Sequence, residues 1–487
     1  MDGTAVRRTV YAGVGGALIG VAGVAHTLGW SLVADVGGGC GGRRYGPCPE
    51  GMSLTIVLAF LCTFAGPAVL ALGLRGSGGK VRGVVAAVLC ATLALPVGWQ
   101  GFRSVLGPSA VRPVWSAPVD RPADSRARAV WQDGETVVRA RGDRLDAYRA
   151  QDGTVAWSLP APTRQSLCAA SPDSVDGVAV VGHGRSGGPC ERLSAVDLRT
   201  GRELWHREGV QPRVLAPAGP LLVVLDGERL SAFALRDGAP AWSASPTEGC
   251  RIRSLRAVAA RVMVVEYCPA PGGDARLGRT WARAYDASGR DLWRTDLGAE
   301  TEPARAELLL TDLPVVRLAE SDDRGVDAVI ALGADGALRA TVPIGAADLD
   351  LTGLARGEAR RFTLVPVGRF TVVGDLLVVA AKRPGDSAAR DVVAHSLTDG
   401  SRRWTRRLPG KVAAIAGTPD GPLVVVDHGL ETVYRLDPAT GGEAERTAGR
   451  STDFAAGFWL GRTDTRYVVV HEDGTRLFAP AIGIPRR

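Results

Sequence analysis

The chain has 487 residues, too many for one ordinary domain, and its 46% hydrophobic content is concentrated in the first hundred positions. It has 63 Gly, no Asn, and Lys only at Lys80, Lys382 and Lys411, so nearly all its positive charge is Arg. The net charge of +7 is spread along the chain without a basic block or aromatic–basic interleaving, which argues against a nucleic-acid partner.

Three apolar runs come first, at 10–33, 52–74 and 83–102. Each is close to the ~20 residues a helix needs to cross a bilayer. Residues 1–103 are therefore expected to form a three-span membrane anchor. Gly16 and Gly20 give the first run a small-xxx-small spacing, which lets helices approach closely in lipid. Arg7 and Arg8 precede the first run, and Arg75, Lys80 and Arg82 lie between the second and third. Positive residues favour the cytoplasmic side, so the N-terminus is expected inside a plasma membrane and everything after residue 103 outside it. Arg43 and Arg44, in the other loop, weigh mildly against this. The first run also reads as a signal peptide, with Gly23 and Ala25 small enough for cleavage, and that reading leaves the rest of the topology unchanged.

The eight cysteines agree with export. Cys40 and Cys48 bracket a short loop expected outside, and Cys168, Cys190, Cys250 and Cys268 fall in the exported region, where disulfides persist. Cys62 and Cys90 lie mid-span and read as small apolar residues. A linker at 104–112 then leads to a repeat that occupies 113–483, with 484–487 as a tail.

The repeat reads "LDAYRAQDGTVAW" from Leu145, "LSAVDLRTGRELW" from Leu193 and "LSAFALRDGAPAW" from Leu230. It returns as "ARAYDASGRDLW" from Ala282 and "VVAHSLTDGSRRW" from Val392. In all five, Trp follows Gly by four, at Trp157, Trp205, Trp242, Trp293 and Trp404. Copies without Trp start at Val329 and Val433. Each phrase is a hairpin, two alternating strands joined by a turn whose Gly supplies positive φ. Apolar strands such as "LLVVL" at Leu221 precede it, so four strands per repeat are expected, the pattern of propeller blades. The Trp is then a wedge between neighbouring blades.

The phrase resembles the quinoprotein-type (PQQ-like) repeat, Ala-x-Asp-x-x-Thr-Gly-x-x-x-Trp, matched in full by Ala195, Asp197, Thr200, Gly201 and Trp205. The resemblance implies an all-β, PQQ-like propeller; the seven hairpins above and a last one from Arg466 favour eight blades, with seven possible. The last hairpin, from Arg466, lacks an outer strand, and "PVWSAPV" at 113–119 echoes the outer strands of other blades. That segment is expected to close the ring, with Trp115 as its wedge.

Family dehydrogenases bind pyrroloquinoline quinone over calcium, with a vicinal Cys-Cys pair, an Asn ligand and an Asp base. This chain has neither Asn nor a Cys-Cys pair. The six His are scattered, with no close-spaced metal motif, nucleophile elbow or phosphate loop. No catalytic, cofactor or metal residues are therefore assigned. The middle loops of blades two, four and six are long: "GHGRSGGP", "PAPGGDARLGR" and "KRPGDSAAR". Bonds Cys168–Cys190 and Cys250–Cys268, at equivalent places, would staple two of them. His183, Arg185, Arg276, Arg279, Lys382 and Arg383 are the candidate binding residues on this rim. The favoured reading is a membrane-anchored, extracytoplasmic, non-enzymatic binding, scaffold or sensing module for another envelope or membrane protein. The alternative is a membrane-bound oxidoreductase using a bound quinone, which a chromophore in the purified protein would reveal.

Overall fold

Long uncharged apolar runs make the N-terminal elements helices, because only internal hydrogen bonding satisfies a backbone in lipid. The computed structural model describes residues 3–35, 52–75, 80–106, 113–118, 126–258, 261–272, 274, 276–309, 313–321, 325–354, 368–427, 431–448, 457–472 and 479–486. The helices are α1 (Gly3–Asp35), α2 (Met52–Leu74) and α3 (Lys80–Leu106). All three are long and apolar enough to cross a membrane. The third runs to Leu106, so 104–106, expected as linker, are helical. Residues 107–112 lie outside the described residues, as do Cys40 and Cys48.

Consecutive glycines let α1 pack against both other helices. A Cβ on Gly15 would stand 2.5 Å from Leu70 N of α2, and one on Gly16 would stand 2.1 Å from Ala87 O of α3. Gly20 continues the second contact at Ala91. Between α1 and α2, His26 Nε2 and Thr63 Oγ1 share a hydrogen bond of 2.9 Å. Cys62 is buried and Cys90 half-buried, both as free thiols.

The strands form a separate unit of eight four-stranded antiparallel sheets, an eight-bladed propeller. Blades one to seven span 127–160, 166–208, 212–244, 251–296, 303–343, 370–407 and 411–448, each built in chain order. Blade eight takes 458–485 and adds Trp115–Ser116 as its outer strand. Trp115 pairs with Gly483 and Ser116 with Ile482, so the N-terminal segment closes the ring. The last strand, Ala481–Pro485, extends two residues past the expected boundary.

Most second strands read as apolar runs because both of their faces are covered, although Arg139 and Arg317 interrupt those of blades one and five. In blade two, Ala179 and Val181 pack towards blade one, while Val178 and Val180 pack towards blade three. The repeat phrase explains the seams. Each Trp lies over the turn glycine of the next blade and donates its indole N–H to a carbonyl of that turn. Trp157 covers Gly201 and donates to Leu198 O at 3.0 Å. Trp115, Trp205, Trp242, Trp293 and Trp404 do the same over Gly153, Gly238, Gly289, Gly336 and Gly441. Gly201 has φ +70°, and a Cβ there would stand 2.5 Å from the Trp157 ring, so both backbone and neighbour demand glycine. The small Ala of the repeat lies across the sheet from its own Trp, as in Ala195↔Trp205, where the ladder shifts register. The Asp shapes the turn: Asp197 Oδ1 accepts from Arg199 N at 2.9 Å and Thr200 N at 3.2 Å.

Candidate binding face

In a four-stranded blade the loop leading in and the loop between strands two and three emerge at the same rim. Backbone pairing ties these loops together at two places. Blade four's middle loop pairs at Leu277 with Thr301 in the connection to blade five. Gly278 N donates to Glu300 O at 3.0 Å and Glu302 N to Arg276 O at 2.7 Å. Further round, Asp350, in the connection from blade five to blade six, pairs with Lys382 in blade six's middle loop at 2.9 and 2.8 Å. Leu349, Leu351 and Leu354 of that connection are buried in the seam between blades five and six. Blade five carries no Trp on its outer strand, and the turn glycine of blade six, Gly400, lies against Thr341 and Ala340 instead.

Disulfides Cys168–Cys190 and Cys250–Cys268 are present, with Cα separations of 5.7 and 4.1 Å. Their places are not equivalent, contrary to expectation. Cys190 opens the third strand after its middle loop, whereas Cys268 lies near the end of the second strand, before its loop. Cys168 lies within the first strand of its blade, and Cys250 immediately precedes one.

His183 departs furthest from the sequence reading. It belongs to the second strand of blade two, Val178–Gly184, and is buried rather than held in a loop. Its Nδ1 has no hydrogen-bond partner. Burial first, and then the Arg192 charge, push its pKa down to about 4. A neutral buried imidazole is not a surface ligand.

The other candidates do lie at the rim. Arg185 is highly exposed and only loosely paired with Glu191, at 3.6 Å. Arg276 is exposed, and Arg279 bonds Asp296 at 2.8 Å. Lys382 is half-buried by its backbone pairing. Arg383 grips the fully buried Asp391 at 2.8 and 3.2 Å, so its charge is already spent. No ion pair links one of these three loops to another among the described residues.

Three rim features escaped the sequence reading. Glu320 is a buried clamp, accepting from Glu300 N, Thr301 N, Thr301 Oγ1 and Val326 N at 2.6–2.9 Å. Leu277 is a large apolar side chain left 52% exposed on a pinned loop. Glu266 is fully buried beside Cys250 and Cys268, which together are the one group among the described residues with metal-compatible spacing. A carboxylate inside the apolar run "RVMVVEYCP" was the available signal for this last feature.

A family model described as outer membrane protein assembly factor BamB matches residues 106–277, about a third of the chain. The match agrees with the PQQ-like repeat over the first blades. No curated protein matches. Among solved structures, BamB from Moraxella catarrhalis is similar at 15% identity, over 76% of this chain and 97% of that one, with a TM-score of 0.41. Sqt1 from Saccharomyces cerevisiae is similar at 10% identity, over 77% and 100%, with a TM-score of 0.46. Hsv2 from Kluyvelomyces marxianus is similar at 11% identity, over 66% and 98%, with a TM-score of 0.40. At such identities and scores none of the three says what this chain binds.

Proposed function

We propose that this protein is a membrane-anchored scaffold whose propeller presents its middle-loop rim to another membrane or envelope protein outside the cytoplasm. The observation that carries this reading is the pinning of the rim. Long loops that would otherwise be loose are held by two disulfides, by Glu320 and by two stretches of strand-like pairing. Ordering a loop before binding lowers the entropy cost of association, and binding residues concentrate in loops on rigid scaffolds. Leu277 supplies exposed apolar area, and Arg185, only loosely paired with Glu191, and Arg276 supply exposed positive charge. The matched family model, described as an assembly factor, agrees with a protein partner. Outward orientation is supported by Arg7 and Arg8 in the first turns of α1 and by Arg75 after α2 and Lys80 and Arg82 at the start of α3.

A photo-crosslinking residue at Leu277, in intact membranes, should capture one discrete protein. The same residue at Gln151, on the turn between strands three and four at the opposite rim, should not. Equal capture at both positions, or none at Leu277, would overturn the assignment of this rim.

A further inference from the structure

Blade four holds a buried carboxylate that its neighbours serve poorly. Glu266 lies in the second strand at 0% exposure, yet only one of its contacts is of ordinary hydrogen-bond length and both cations stand off. Thr247 Oγ1 donates at 3.0 Å, Thr247 N and Arg283 Nη1 at 3.4 Å, and Arg294 Nε stands 3.7 Å away. The comparably buried Asp391 accepts from Arg383 and Arg407 at 2.8 Å each. A buried charge without a close cation is costly, so Glu266 has room for a positively charged partner.

The sulfurs of Cys250 and Cys268 and an oxygen of Glu266 all lie within 4.8 Å of one another. Arg294 Nη2 stands 3.3 Å from Cys268 Sγ and 4.0 Å from Cys250 Sγ, its guanidinium stacked 4.2 Å from the Trp281 ring. Two thiolates and a carboxylate oxygen are a donor set that Zn²⁺ accepts in tetrahedral geometry, with water as the fourth ligand. Charge balance points the same way. Glu266 and Asp291 are offset by Arg283 and Arg294 while the sulfurs are bonded to each other. Reduction to two thiolates adds two negative charges to this cluster, and one Zn²⁺ removes them while giving Glu266 the close cation it lacks.

We propose that Cys250, Cys268 and Glu266 form a thiol-gated zinc site, closed as a disulfide and opened by an external dithiol. A thiolate of the dithiol attacks Cys268 Sγ, the more exposed sulfur, and the Cys250–Cys268 bond breaks with Cys250 leaving as thiolate. The second thiol of the dithiol then attacks the mixed disulfide and releases Cys268. The dithiol is oxidised to its disulfide and the protein pair is reduced by two electrons. Zn²⁺ takes both thiolates, and the dithiol's two protons pass to solvent. Arg294 keeps its N–H groups against the bound sulfurs, the outer-shell role that orients metal ligands. The loop stays stapled in either state, by sulfur–sulfur or by sulfur–zinc–sulfur bonds. Cys168–Cys190 has no such carboxylate among the described residues and takes no metal.

The test uses the full chain in nanodiscs, phosphine-reduced, desalted without oxygen and titrated with Zn²⁺ against a chromogenic chelator. The reduced chain should bind one more equivalent than the Cys250→Ala/Cys268→Ala variant, and the oxidised chain should bind none at this site. Glu266→Gln should weaken binding at least tenfold, and Co²⁺ should give a thiolate charge-transfer band that the double variant lacks. Equal uptake by reduced wild type and double variant would overturn the site, as would unchanged affinity in Glu266→Gln. A reduced chain that loses its near-ultraviolet circular dichroism and does not regain it with Zn²⁺ would also overturn it.

Discussion

At the scale of single residues, His183 shows what a sequence leaves hidden. Its folded pKa is depressed from 6.5 to about 4, so the unfolded chain binds a proton that the folded chain refuses. Stability contributed by the neutral imidazole is whole above pH 6.5 and is lost as pH falls towards 4. The difference corresponds to about 3 kcal/mol. Denaturant melts of wild type should fall by that amount over this range relative to His183→Gln, and parallel pH profiles would contradict it. Glycine offers a second comparison. Gly201 and Gly209 both have positive φ, +70° and +75°, but only Gly201 has a tryptophan ring against it. Gly209→Ala should cost about 1 kcal/mol of backbone strain. Gly201→Ala should cost that and the displacement of Trp157 as well, roughly 3 kcal/mol in all by analogy with core overpacking. Equal costs would mean that the Trp–Gly contact contributes nothing.

Among elements, the closing strand is the smallest, two residues long, and it completes the last blade. Val114 N donates to Gly483 O and Ala117 N to Ala481 O, both at 2.8 Å, and Trp115 reaches over to Ala150 O at 2.8 Å. A soluble chain starting at Pro113 should fold. One starting at Arg121 leaves the edge of the last strand bare, and exposed edges invite aggregation. Trp115→Ala should cost ~3–5 kcal/mol, as other buried aromatics do. Equal melting temperatures for the two chains would contradict this role. The seam between blades five and six makes the complementary case. Gly400 receives no tryptophan there, and Leu354 of the inserted connection is fully buried. Leu354→Ala should cost about 2–5 kcal/mol in the same denaturation assay, whereas a surface insertion would tolerate it.

On the scale of the whole molecule, sidedness and disulfides stand or fall together. A reporter active only outside the cytoplasm, fused after Arg487, should be active. Peptide mapping without reduction should then recover Cys168–Cys190 and Cys250–Cys268. Each closes a loop of about 20 residues, worth about 3 kcal/mol in the chain-entropy account. Activity of a cytoplasmic reporter alone would remove the oxidising compartment on which the scaffold reading depends.

Much of this architecture is local in origin and so could be read from the sequence alone. Apolar run length sets the helices, and a turn glycine followed four residues later by Trp marks a blade, because positive φ and strand alternation are properties of neighbours in the chain. Blade count and the closing role of 113–119 followed from the same periodicity. What only the tertiary structure decided depends on residues far apart in sequence. Each Trp serves the glycine of the following blade rather than its own, which is why copies without Trp keep their glycine. His183 is interior because blade one covers that face of its strand. The connection at 344–354 is buried because its leucines meet strands of both blade five and blade six, which lie far from it in sequence. Glu266 meets two sulfurs because the ladder that pairs Ile252 with Glu266 and Arg251 with Tyr267 carries Cys250 beside Cys268. Packing partners across a ring are set by closure of the whole chain, and no window of local sequence contains them.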